Sequence, residues 1–133
     1  MPFLSTAPEA ANGPRLPQAF ALGTDTDAEQ AVRVALVGEL DIATVPETDR
    51  ALRRAEAAAR LVVLDLRGLE FIDAGAAALI LAADRRIRSA GGRLVVVRGP
   101  AEVDLLFELL GLDRQLELVD WPSATASFEA AAA

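Results

Sequence analysis

The side chains best placed to do chemistry in this chain are carboxylates. Asp73 sits in a short polar corner, Phe71-Ile72-Asp73-Ala74-Gly75-Ala76, between an apolar run and an Ala- and Leu-rich stretch. A carboxylate there has two uses. It can accept a phosphoryl group, which needs an acidic pair and a Lys around the acceptor. It can also accept hydrogen bonds from the first amides of the helix that follows, as a favoured N-cap. The chain contains no Lys, so the N-cap is the better supported use. Glu39 and Asp41 form a second polar group at the end of the apolar run 31–40, and read either as a partner surface or as a solvated strand end. Asp65 interrupts a third apolar run, 61–66. A buried carboxylate is costly unless it is paired or hydrogen-bonded, so Asp65 is expected at a strand end, facing a turn amide or an Arg. The run Thr24-Asp25-Thr26-Asp27-Ala28-Glu29 has the acid spacing of a calcium loop but lacks that motif's Gly and distal Glu. It reads as a solvated hairpin turn, and no metal site is expected.

The missing residue types narrow the chemistry further. Among 133 residues there is no Cys, His, Tyr or Lys, and all 13 basic residues are Arg. Without Cys there is no disulfide framework, thiolate nucleophile or sulfur metal site. Without His the commonest general base and zinc ligand are gone. Without Lys there is neither Schiff-base chemistry nor a Walker-type phosphate contact. A binding module is therefore expected rather than an enzyme, with no catalytic residues and no cofactor. The net charge of −7 argues against nucleic acid and against an anionic membrane surface, both of which select basic patches. No charged and apolar leader of signal-peptide type and no run of about 18 apolar residues occurs. The expectation is a cytoplasmic protein without membrane insertion.

The elements that must position these residues follow from periodicity. Residues 1–15, rich in Pro, Ala and small polar residues, read as a disordered tail. Residues 16–23 could form a short edge strand, with Pro17 tolerable only there. The 31–40 run is a strand that becomes buried. Thr44 and Glu47 stand in capping-box spacing with Pro46 in the first turn, so a helix is predicted over 45–59. Its Arg50, Arg53 and Arg54 read as a solvated face offset by nearby acids. Residues 61–66 suit a strand covered on both sides, followed by a loop at 67–70, after which Phe71 and Ile72 return to the core. In the next helix Ala76, Ile80, Ala83 and Ile87 face inward, while Asp84, Arg85, Arg86 and Arg88 form the wet side. Gly91-Gly92 end it, and 93–97 form another buried strand. After Gly99-Pro100 a helix carries the stripe Val103, Leu106, Phe107, Leu110. Leu105 and Leu109 flank that stripe and are read as widening the buried face, with an exposed partner contact as the alternative. A short strand at 116–119 precedes a weak C-terminal helix anchored by Trp121 and Phe128. Strand–helix alternation implies a small mixed, largely parallel α/β sheet with about four helices in one domain.

Three motifs, in the right order and at the right intervals, resemble the STAS domain family. They are Gly38-Glu39-Leu40-Asp41-Ile42-Ala43-Thr44-Val45-Pro46-Glu47, Leu64-Asp65-Leu66 leading to Phe71-Ile72-Asp73, and Gly91-Gly92-Arg93-Leu94 before an apolar strand. The similarity spans about residues 16–130 and is greatest to bacterial anti-sigma factor antagonists. It implies a STAS-like fold and a module that binds a Ser/Thr kinase-like anti-sigma factor in transcription regulation and stress response. The partner-binding residues it implies are Glu39, Asp41, Thr44, Asp73, Ala74, Gly75 and Ala76. In the family the phospho-acceptor is a Ser following the Asp that matches Asp73, within a run of the form Asp-Ser-Ser/Thr-Gly. Here that position is Ala74, and no Ser or Thr occurs between Val62 and Arg88. The resemblance therefore implies a constitutive binder whose usual switch is lost. It also admits a homodimer, a non-switching accessory subunit of a transporter or stress-sensing complex, and a small-ligand or nucleotide sensor. Against the last, Gly91-Gly92 end a helix instead of opening one over a phosphate.

Overall fold

The computed structural model describes residues 24–27 and 31–121. Their order is β1 (Thr24–Asp27), β2 (Ala31–Leu40), α1 (Val45–Ala58), β3 (Leu61–Ile72), α2 (Ala74–Ser89), β4 (Arg93–Val97), α3 (Ala101–Leu109), a 3-10 turn (Leu112–Arg114) and β5 (Leu118–Val119). The five strands lie in the order β1-β2-β3-β4-β5, with β1 antiparallel to β2 and every other pair parallel. Each parallel step advances in the same direction. Right-handed crossovers then place α1, α2 and α3 on one face of the sheet. This is the small mixed, largely parallel α/β architecture read from the sequence.

Alternation along the strands divides the core in two. Val32, Val34 and Leu36 of β2, Val62, Leu64 and Leu66 of β3, and Leu94 and Val96 of β4 meet Leu52, Ile80 and Phe107 under the helices. The opposite parity forms a smaller cluster of Ala31, Leu61, Val63, Val95 and Val97, with Val119 and Trp121 against it. Strands apolar at both parities are therefore covered on both sides, as the 61–66 run suggested.

Several expectations are corrected. Thr24–Asp27 is an edge strand paired with Ala31–Val34, not a solvated turn. Thr favours strands, and the backbone ladder with β2 holds the segment extended. Residues 67–70 are not a loop: β3 continues through them to Ile72 because β2 continues beside it, pairing Val37 with Gly68 and Glu39 with Phe71 across two register shifts. Gly68 permits that approach, since a Cβ there would stand 2.9 Å from Val37 Cγ2 and 3.0 Å from Leu36 O. Asp84 is not on the wet side; it is 1% exposed, and Arg88 one turn later donates to it at 2.7 Å. Arg88 also donates to Gln115 O, so the pair ties α2 to the segment after α3. Leu105 and Leu109 are exposed, and so is Leu110 of the expected stripe: only Val103 and Phe107 of this short helix are fully buried, with Leu106 partly buried against the core.

The α2 helix ends as read: Gly91 takes φ +89°, and Gly92 N–H donates to Ile87 O at 2.9 Å. Three α-helices lie among the described residues. The expected disordered tail at 1–15, the expected strand at 16–23 and the C-terminal helix expected beyond Trp121, with Phe128, lie outside them. Among the described residues no helix is long and apolar enough to cross a membrane.

Candidate functional site

Where β2 and β3 end, the chain makes two turns side by side. Asp73 N–H donates to Leu40 O at 3.1 Å, fastening the entrance of α2 to the exit of β2. This is the carboxyl edge of the parallel strands, the edge at which open α/β sheets place their binding sites.

The first turn is built around Thr44. Its hydroxyl accepts from Asp41 N–H at 2.9 Å and lies 3.1 Å from both Glu39 O and Asp41 O, to one of which it can donate. Asp41 Oδ1 accepts from Ala43 N–H at 2.9 Å, closing an Asx turn. Thr44 is therefore spent inside the turn. It is the N-cap of α1 by position but makes no side-chain cap bond, so the capping box expected with Glu47 does not form. Thr44 is also fully buried, which makes it a shaper of the site and not a contact.

The second turn is the Asp73 corner. Asp73 is the N-cap of α2, and its Oδ1 accepts from Ala76 N–H at 2.8 Å. This is the role expected of it. Removing this bond with Asp73→Ala should cost about 1 kcal/mol of stability, seen as a lower denaturation midpoint with an unchanged m-value. Ala74 and Gly75 follow, both exposed, and Ala76 is wholly buried under the helix. All seven predicted residues thus come to one edge. Glu39, Asp41, Asp73, Ala74 and Gly75 reach solvent there; Thr44 and Ala76 hold the shape.

Two apolar residues complete the surface and were not read as part of it. Ile42 is 84% exposed in the first turn, and Phe71 is 49% exposed although it was expected to pack inward. The register explains Phe71: Leu69 and Ile72 take the buried positions of this irregular strand end, leaving Glu70 and Phe71 outside. An apolar residue inside the polar run Asp41–Thr44 was the one available signal for Ile42.

The exposed corner is acidic, with an apolar residue in each turn. It offers no side-chain hydroxyl to solvent at the mouth of α2. Among the described residues no group of three or more carboxylates stands close enough to hold a metal ion. Such a surface can accept hydrogen bonds from a basic partner and bury Ile42 and Phe71 against it.

A family model described as "Mlab, STAS domain" matches residues 24–120, more than half of the chain. Among solved structures, an anti-sigma factor antagonist from Mycobacterium paratuberculosis superposes with a TM-score of 0.73 at 20% identity, covering 86% of this chain and 97% of that one. SpoIIAA, an anti-sigma factor antagonist, in its unphosphorylated form gives a TM-score of 0.68 at 20% identity, covering 82% and 96%. The STAS domain of a SulP transporter from Vibrio cholerae gives 0.55 at 17% identity, covering 77% and 85%. At these identities the likeness is one of fold. No curated protein sequence matches the chain.

Proposed function

The chain belongs to the STAS domain family, and on that premise we propose that it is an anti-sigma factor antagonist-like module. Its partner would be a Ser/Thr kinase-like anti-sigma factor in bacterial transcription regulation, bound through the edge formed by Glu39, Asp41 and Asp73–Gly75. The observation that carries this reading is the bond between Asp73 N–H and Leu40 O, which joins the two turns into one exposed acidic surface at the mouth of α2. The fold likeness to two anti-sigma factor antagonists, at TM-scores of 0.73 and 0.68, supports it. With Ala74 where the family carries its acceptor Ser, the module binds constitutively.

A second reading, an accessory subunit of a transporter, is favoured by the likeness to the SulP transporter STAS domain. Calorimetry against the kinase-like anti-sigma factors encoded in the same genome separates the two. Saturable binding to one of them with ADP, undiminished after incubation with ATP, is the expected result. Absence of binding to all of them, with co-purification of a transporter component, would replace the first reading by the second.

A further inference from the structure

One residue of the α2 edge answers to neither rule that places its neighbours. Ile42 is an apolar side chain held in water, 84% exposed, so burial does not account for it. It follows Asp41 in a turn closed by Thr44 N–H, which donates to Asp41 O at 3.0 Å. Turns favour Gly, Pro, Asn, Asp and Ser for backbone or hydrogen-bonding reasons, and Ile brings none of them. A position that breaks both local propensity and core packing points to function. A single exposed apolar residue needs no explanation by itself; what singles out Ile42 is how firmly it is held. Asp41 N–H donates to Thr44 Oγ1 and Ala43 N–H to Asp41 Oδ1, both at 2.9 Å, so hydrogen bonds fix the turn on either side of it. Its β-branch leaves little freedom at χ1. A side chain already ordered loses little entropy when a partner covers it, and that is how interface anchors gain their strength.

We propose that Ile42 is the apolar anchor of the partner interface, the side chain that the kinase-like anti-sigma factor buries in a pocket of its own. The inference rests on the reading that this edge is the partner face. Continuity along the edge supplies the occupant. Asp73 N–H donates to Leu40 O, and Ile42 lies two residues, at most about 7 Å, beyond Leu40. A body seated on Ala74 and Gly75 at the mouth of α2 therefore meets Ile42 as well. Anchors of this kind sit amid polar contacts that shut out water, and Glu39 and Asp41 precede Ile42 along the same edge. The pocket that receives Ile42 must be apolar and shaped for a branched aliphatic side chain.

The test is affinity for the kinase-like anti-sigma factors of the same genome, measured for the full natural chain and for Ile42→Ala, Ile42→Thr, Leu109→Ala and Ala74→Asp. Ile42→Ala should weaken binding about 30-fold, equivalent to about 2 kcal/mol, the level of an interface hot spot. The change should fall mainly on the dissociation rate. Ile42→Thr keeps the β-branch and should still lose about tenfold or more. Leu109, exposed by 73% on α3, is the control, and its truncation should change affinity by less than about twofold. Denaturant midpoints of the Ile42 and Leu109 variants should match the natural chain's, because both side chains already stand in water. Binding that Ala74→Asp weakens, but that both Ile42 variants leave within about twofold, would overturn the anchor and leave the partner reading standing. Absence of binding to every kinase-like anti-sigma factor would overturn that reading and the anchor with it. A loss at Leu109 as large as at Ile42 would overturn the anchor alone, since exposed apolar area at large would then drive binding. So would self-association of the natural chain that Ile42→Ala abolishes.

Discussion

Replacing Asp65 by Ala should cost about 3 kcal/mol of unfolding free energy, the lower end of what breaking a buried ion pair costs, and lower the melting temperature by about 10 °C. Asp65 is 3% exposed on the sheet face opposite the helices. Its Oδ2 accepts from Arg33 Nη2 at 3.0 Å and from Arg67 Nη2 at 2.9 Å. Its Oδ1 accepts from the backbone N–H and the Nε of Arg67, both at 3.0 Å. One carboxylate thus holds two guanidinium groups on neighbouring strands. Without it the two cations lose their common anion and repel each other. Arg67 is 43% exposed at its side chain and can turn to water, which is why the lower figure applies. The same two guanidiniums lie against Trp121, with Cζ atoms 3.9 Å (Arg67) and 4.9 Å (Arg33) from the ring centroid. Trp121 is the chain's single tryptophan, so its fluorescence is sensitive to this cluster. The variant should show a changed emission maximum in the native state and an earlier thermal transition. A melting temperature equal to that of the natural chain would mean that the cluster contributes nothing to stability.

The same cluster sets an acid limit. Burial pushes the Asp65 carboxyl up, but the side-chain and backbone hydrogen bonds from Arg67 and the bonds from Arg33 outweigh it and hold it below the usual carboxylate range. Its stabilising contribution is therefore fully present above the unfolded value, about pH 3.9, and is lost as pH falls through the lower folded value. Glu117 is also held low, by hydrogen bonding to Arg93, but both side chains are about half exposed and water screens most of that gain. The natural chain should keep its stability down to about pH 4 and lose it below. Asp65→Ala should flatten that acid limb in a series of denaturant midpoints against pH.

What the sequence disclosed and what it hid divide along one line. Patterns that pack against the sheet were legible: Ala76, Ile80, Ala83 and Ile87 recur at helical spacing and all are buried. Asp65 was legible in its partners, because a buried acid demands a cation and two are present, but not in its place: β3 runs on to Ile72, so Asp65 lies within the strand and not at its end. Asp84 was not, because on a helix an acid beside three arginines reads as solvated unless one knows that Arg88 folds over it toward Gln115. Residues 67–70 look like a loop because Arg67, Gly68 and Glu70 interrupt the apolar run. Only the neighbouring β2, prolonged to Leu40, supplies the hydrogen bonds that keep them extended. Leu105 and Leu109 share a helix with buried Val103 and Phe107, and periodicity cannot say how much of a nine-residue helix the sheet will cover. The candidate edge was legible as residues but not as a surface. Nothing in the chain's pattern marks Leu40 O as the acceptor that holds Asp73 beside it, or predicts that Thr44 would be buried while Ile42 faces water.

If the α2 edge binds a kinase-like anti-sigma factor, Ala74→Ser should restore a switch that the natural chain lacks. Ala74 is the first residue of a 16-residue helix and is exposed, so a hydroxyl there needs no space that the fold must find. The unmodified variant should bind its partner within about twofold of the natural chain, since one exposed oxygen changes little. Once phosphorylated, the position would carry about −1.5 to −2 charge. Within the domain the open amides of the α2 N-terminus face that charge favourably. Across the interface the outcome reverses, because the phosphate would be desolvated beside Asp73 and near Asp41, on an edge whose own charge is already negative. A penalty of about 2 to 5 kcal/mol for such a mismatch predicts an affinity loss of about 30-fold or more. With labelled ATP and the partner, only the variant should take up label in the folded region, and only the variant should be released. Label in the natural chain between Val62 and Arg88 would refute the lost switch, and so would a labelled variant that stays bound. Ala74→Asp carries a smaller charge to the same place without any kinase. It should weaken whichever partner uses this edge, and an affinity left unchanged by it would show that the partner sits elsewhere.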